Sequence, residues 1–125
     1  MNVVDSSGWL EYLADGPNAD FFKTPIRDET QLIIPTICLY EVFKVTLLRE
    51  GKDKAIRVAG NMSFGRIVDL DRETALAAAH LSLQQKLAMA DSIILATARA
   101  YEATLWTQDA HFKDIEGVNF IVKKN

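Results

Sequence analysis

The sequence cannot form an internal disulfide, because Cys38 is its only cysteine; this suits a reducing compartment, with the cytoplasm as the expected setting. It also lacks any long apolar run. The longest, Leu32 to Phe43, carries Pro35 and Glu41 and is too short to cross a bilayer, and the N-terminus reaches Asp5 before an apolar run develops. Neither a signal peptide nor a membrane anchor is therefore expected. Histidine is scarce: His80 and His111, with one cysteine, do not make the Cys/His sets that hold zinc, and neither is read as catalytic. Positive charge is not in excess either. A net charge of −3 argues against a generally basic, nonspecific nucleic-acid binder, while leaving a local basic surface open. Repeats and low-complexity tracts are absent.

What is present fits one compact domain over residues 1–125, with 49% hydrophobic residues. Short β-branched runs alternate with longer helical patterns, the mark of an α/β domain on a parallel sheet. Strands are expected near 2–4, 32–34, 66–69, 104–107 and 119–122. Ser7 to Ala14 reads as a short helix with Trp9, Leu10 and Leu13 on its apolar side, and Asn18 to Lys23 as a further turn. Thr36 to Glu50 reads as a longer helix, with the Thr36 hydroxyl placed to cap it and Gly51 to end it. Helices are also expected over 52–63, over 71–85 with Asp71 as its cap, and from Asp91 onward.

Four carboxylates sit beside apolar stretches that ought to be buried. Asp5 ends Met1-Asn2-Val3-Val4, Glu41 interrupts Ile37 to Phe43, Asp91 opens Ser92 to Ala98, and Asp109 follows Thr104 to Gln108. Ligands in open parallel sheets gather beyond the carboxyl ends of strands, where Asp5 and Asp109 fall, and helix starts favour an anionic centre. Two unit charges about 4 Å apart repel by roughly 4 kcal/mol at an effective dielectric near 20. A divalent cation with oxygen ligands removes that penalty, and a donor set without Cys/His pairs points to Mg²⁺ or Mn²⁺.

Each residue also has a plainer reading. Asp91 could be a helix N-cap, Glu41 could pair with Lys44 on a solvated edge, and Asp5 and Asp109 could be turn formers after strands. The aromatic residues Trp9, Tyr12, Phe21 and Phe22 are first of all core. Lys44, Arg49, Lys52, Lys54 and Arg57, against Glu50 and Asp53, give a local excess of positive charge that could meet phosphates, with Arg66, Lys86 and Arg99 as further candidates. A solvated helix face would look the same.

At Val3-Val4-Asp5-Ser6-Ser7, Leu39-Tyr40-Glu41-Val42, Met89 to Ala98 and Thr107-Gln108-Asp109-Ala110-His111-Phe112, the chain resembles the PIN-domain family of metal-dependent nucleases, specifically VapC-type toxins. The order and spacing of these segments carry the resemblance over nearly the whole chain. It implies a three-layer α/β/α domain around a parallel sheet of about five strands. It also implies an acidic metal-binding quartet of Asp5, Glu41, Asp91 and Asp109, with Ser7 and Thr107 as hydroxyl partners. Endoribonuclease activity on an RNA substrate, a small cognate antitoxin and a homodimer are implied as well. Two other layouts remain in competition: a catalytically silent interaction module on the same fold, and a phosphoacceptor signalling domain, which would want paired acidic residues where Asp5-Ser6-Ser7 stand. A phosphatase with an Asp nucleophile would want a second Asp at position 7.

Overall fold

A computed structural model describes residues 1–124, so Asn125, the last residue of the expected 1–125 domain, lies outside the described residues. Five short strands, β1 (Asn2–Val4), β2 (Leu32–Pro35), β3 (Arg66–Val68), β4 (Thr104–Thr107) and β5 (Val118–Phe120), pair in parallel in the order β3-β2-β1-β4-β5. Parallel pairing requires a crossover between strands, and the helices supply it: α1 (Ser6–Leu13) and α2 (Ala19–Arg27), then α3 (Thr36–Glu50) and α4 (Lys52–Met62), then α5 (Arg72–Gln85) and α6 (Met89–Ala100). Right-handed crossovers put the first two pairs on one face of the sheet and the third on the other. The result is a three-layer α/β/α sandwich. No helix among the described residues is long and apolar enough to cross a membrane.

Burial follows the sheet order. The central strands bring Val3, Val4, Ile33, Ile34 and Leu105 fully inside, while β3 and β5 are edges and less enclosed. Helix α6 is apolar nearly all round, and Ser92 to Ala98 are buried in consequence. Its Thr97 hydroxyl donates to the Ile93 carbonyl at 2.8 Å, and Thr46 does the same to Val42 in α3, so both hydroxyls are satisfied without leaving the core.

Several boundaries differ from the sequence-based expectation. The fifth strand is Val118–Phe120 rather than 119–122, and the third stops at Val68. The stretch read as a turn at 18–23 is the full helix α2, which tolerates Pro25 inside it and buries Phe22 and Ile26. Pro35, not Thr36, occupies the N-cap position of α3, and no side chain caps that helix. Helix α6 begins at Met89 after Ala88, so Asp91 lies inside the first turn and is not its cap. Gly51, at φ +88°, ends α3 as expected, and the Asp71 carboxylate caps α5 by accepting from the Thr74 N–H at 2.8 Å.

Strand order decides between two of the candidate layouts. A receiver-type signalling domain threads its strands 2-1-3-4-5. Here β1 lies between β2 and β4, and chain order runs outward from that pair in both directions. The phosphoacceptor reading is excluded by this topology. The same order locates the crevice of the sheet at the carboxyl ends of β1 and β4.

Close packing holds α1 against this crevice. A Cβ on Gly8 would stand 2.5 Å from Phe22 Cε1 and 2.7 Å from Val4 Cγ1, both fully buried neighbours. Replacing a helical glycine by alanine gains about 1 kcal/mol of helix propensity, but overpacking a tight core costs typically 1–3 kcal/mol. With two contacts this short the loss should win. Gly8→Ala is expected to lower the unfolding free energy by a net of up to about 2 kcal/mol, read as a lower chemical-denaturation midpoint; an unchanged or raised midpoint would show that Phe22 moves aside freely.

Candidate metal centre

The crevice is built outward from Asp5, which is both the residue after β1 and the N-cap of α1. Its backbone N–H donates to the Trp106 carbonyl of β4 at 3.1 Å, fixing the two strand ends side by side. The residue is only 3% exposed, and its carboxylate accepts from three groups. The Gly8 N–H reaches Oδ1 at 2.8 Å, the Ser7 hydroxyl lies 2.9 Å from both oxygens, and the Thr107 hydroxyl donates to Oδ2 at 2.6 Å. Thr107 in turn accepts from the Asp109 N–H at 2.9 Å, which links the two strand-end carboxylates through one hydroxyl. Even with these donors favouring the charged form, burial pushes Asp5 up to about 6, with Asp109 adding repulsion.

Three other segments deliver the remaining carboxylates to the same edge. Glu41 is held in α3 by the Ser6 hydroxyl, which donates to Oε1 at 2.6 Å. Asp91, in the first turn of α6, is half-buried and also raised to about 6, first by desolvation and then by the charges of Asp109 and Glu41. Asp109 caps the short 3₁₀ turn Ala110–Phe112, its Oδ1 accepting from the His111 N–H at 2.9 Å. The His111 ring joins the group, with Nδ1 3.1 Å from Asp109 Oδ1 and 3.9 Å from Asp91 Oδ2. One potential ligand atom each from Asp91, Asp109 and His111 lie within 4.8 Å of one another. Behind the site, burial pushes the Cys38 thiol far up, so it is no nucleophile.

All four sequence-predicted carboxylates thus face one crevice, and Ser7 and Thr107 both bond to Asp5. Two participants were not anticipated. Ser6 was legible only as a hydroxyl beside Asp5, and its partner, Glu41, is 35 residues away in the chain. His111 lacks the second ligating histidine that zinc sets lead one to look for, and its neighbours here are carboxylates.

The basic stretch is distributed differently from the expectation. Lys44 stands one turn from Glu41, with its ammonium 5.6 Å from the Tyr40 ring. Helix α3 runs away from the crevice, so Arg49 is two turns and roughly 12 Å further along the axis than Glu41, and it shares a groove with Lys54, Leu10 and Leu13. Lys52 and Arg57 follow on α4. Arg66 starts β3 and packs over Tyr101 at 5.1 Å, and Arg99 near the end of α6 donates to the Glu116 carbonyl, both away from the carboxylates. Lys86 ends α5, just before α6 brings Asp91 in.

Among the described residues, the only ion pair made by a lysine or arginine is Arg72 with Glu73. Among the described residues, none of the four carboxylates has a Lys or Arg nitrogen within 4.0 Å. Carboxylate oxygens are hard donors that match Mg²⁺ or Mn²⁺, and the burial and, after it, the neighbouring negative charge that raise Asp91 are what such an ion would offset. The residues fit the group.

The sequence profile of the PIN domain matches residues 3–118. This chain belongs to the PIN-domain family. None of the curated proteins matches it. Among solved structures, a toxin–antitoxin complex from Klebsiella pneumoniae superposes with a TM-score of 0.79 at 24% identity, over 95% of this chain and 96% of that one. VapBC2 from Rickettsia felis, bound to a promoter DNA fragment, gives 0.73 at 19% identity, over 97% of both chains. VapC20 from Mycobacterium tuberculosis, described as a toxin that cleaves the sarcin–ricin loop, gives 0.75 at 14% identity, over 93% of this chain and 95% of that one. At these identities the PIN fold is what is shared.

The raised carboxyls set a pH signature for the metal-free protein. With a folded value of about 6 against the ordinary aspartate value of 3.8, the native Asp91 keeps a proton that the unfolded chain has already released. Stability from this group is therefore greatest below the window between the two values, falls as pH rises through it and levels off above. Removing the charge should remove the slope. In EDTA, Asp91→Asn is expected to match wild type near about pH 4 and to exceed it in thermal stability by about pH 7. A variant no more stable than wild type at the higher pH would show that burial and neighbouring charge do not penalise the ionised Asp91.

Proposed function

We propose that this protein is a Mg²⁺- or Mn²⁺-dependent endoribonuclease that hydrolyses RNA phosphodiester bonds at Asp5, Glu41, Asp91 and Asp109. In the cell it acts as the toxin of a VapBC-type pair, restrained by a small antitoxin. The observation that carries the reading is the convergence, at the sheet's switch point, of four carboxylates from four segments with no Lys or Arg paired to them among the described residues. Membership of the PIN family and likeness to chains from toxin–antitoxin complexes support the same reading.

The bound ion would supply an activated water and neutralisation of the charge that builds on the phosphorus-bound oxygens. The protein's part is orientation. Three donors lock the Asp5 carboxylate in one rotamer, so its remaining lone pair has a fixed direction. Ser6 fixes Glu41 through Oε1 and leaves Oε2 able to accept from a water. Ser6 and Ser7 donate to carboxylates and so orient them, a supporting part that suits water as the attacking group. Lys44, one turn along α3 from Glu41, is a basic side chain that could meet a phosphate near the site. Arg49, Lys52, Lys54 and Arg57 would serve parts of the RNA that lie further along α3 and α4.

Partners are read from what remains exposed. Trp9 and Phe22 are buried, and Leu10, Tyr12, Leu13 and Phe21 pack partly on the core, but Tyr40 and Leu48 on α3 are 59% and 85% exposed. Apolar surface of this kind suits the antitoxin and a second copy of the chain.

Purified, antitoxin-free protein is expected to cleave single-stranded or hairpin-loop RNA only with Mg²⁺ or Mn²⁺, to stop in EDTA, and to slow at least about a hundredfold in Asp5→Asn or Glu41→Gln. Cleavage that persists in chelator, or in Asp5→Asn at the wild-type rate, would overturn the assignment. Asp5→Asn carries a structural cost as well, because an amide nitrogen would face donors from Thr107 or from Gly8 and Ser7. Folding of each variant is therefore checked by circular dichroism alongside the rate.

A further inference from the structure

We propose that His111 is a nitrogen ligand of the metal centre and tilts it from Mg²⁺ toward transition-metal ions. This rests on the metal-site reading above and extends it to a residue outside the acidic quartet. Two ligands on adjacent corners of an octahedron with bonds of about 2.1 Å stand about 3 Å apart. The 3.1 Å between His111 Nδ1 and Asp109 Oδ1 is that spacing, and the 3.9 Å to Asp91 Oδ2 is within a small side-chain adjustment of it.

The ring is not simply a mobile surface group. Its backbone N–H is tied to Asp109 Oδ1 at 2.9 Å, and the next residue, Phe112, is fully buried in the core. The 3₁₀ turn is thus pinned on both sides of the Cα, and the imidazole projects over the two carboxylates while 76% of its side chain stays open to solvent. An incoming ion can displace water from this side without breaking the hydrogen bonds that hold Asp5.

The chemical consequence follows from ligand type. Carboxylates and water suit Mg²⁺, whereas a neutral imidazole nitrogen favours first-row transition metals, increasingly so from Mn²⁺ to Co²⁺. Deleting the ring should therefore penalise ions in the order Co²⁺, Mn²⁺, Mg²⁺. A histidine that served only as a hydrogen-bond partner or counter-charge for Asp109 would alter all three affinities by a similar factor.

The test is calorimetric titration of RNA-free, full-length wild type and His111→Ala with Mg²⁺, Mn²⁺ and Co²⁺. His111→Ala is expected to lose at least about tenfold in Co²⁺ affinity, less for Mn²⁺ and little for Mg²⁺. His111→Glu should recover binding strength while keeping the flattened selectivity. The Co²⁺-loaded wild type should also show a strongly shifted, exchangeable ring N–H proton signal, absent from His111→Ala; His80, the other histidine, remains in both. An equal loss for all three ions, or unchanged affinities with no such signal, overturns the proposal. RNA cleavage is assayed separately, so failure of wild type to cut RNA with any ion falls on the nuclease reading and not on the ligand assignment.

Discussion

The structure depends on one buried carboxylate. Asp5 terminates β1, caps α1, pairs its backbone with β4 and takes hydrogen bonds from Ser7, Gly8 and Thr107, so strand, helix and neighbouring strand are all joined at its side chain. Burying an ionised group is costly unless hydrogen bonds or a cation compensate. Here the donors compensate in part, and the carboxyl still rises to about 6. The site is a place where the fold holds charge it has not neutralised.

The other elements follow from the need to bring further charge to the same point. Parallel strands order all their carboxyl ends along one edge, and the switch between β1 and β4 opens the crevice there. Helix α6, buried almost all round, has little freedom to move Asp91 outward, and Phe112 anchors the turn that carries Asp109 and His111. Ser6 reaches from α1 to Glu41 on α3, so the helices on one face are tied across the site by a hydrogen bond at 2.6 Å. Rigidity of this kind is what a reaction relying on oriented oxygens requires.

Much of this was legible in the sequence, and the reasons are local. An Asp directly after two buried valines, or two residues beyond Thr104-Leu105-Trp106-Thr107, has little choice but to stand at a strand end, and alternating β and α patterns imply parallel order. What could not be read was anything set by direction or distance in space. The charge excess over 44–57 looked like a rim for phosphates, yet α3 carries most of it away from the crevice. The Ser6–Glu41 bond spans two elements, and no periodicity encodes it. Helix α2 was hidden by Pro25 and by a polar composition; only the packing of Phe22 and Ile26 reveals it. A lone histidine carries no zinc-type signal in sequence, and the acidic neighbours of His111 come from its place in space.

A bound divalent cation would take over the compensation that hydrogen bonds leave incomplete. The most direct measurement of this is the number of protons released when Mn²⁺ binds, obtained by calorimetry in buffers of different ionisation enthalpy. With Asp5 and Asp91 each near 6 in the metal-free protein, binding at about pH 6 should release about one proton or slightly more, and the release should fade by about pH 8. Binding with no proton release at the lower pH, or no Mn²⁺ binding at either pH, would contradict the account.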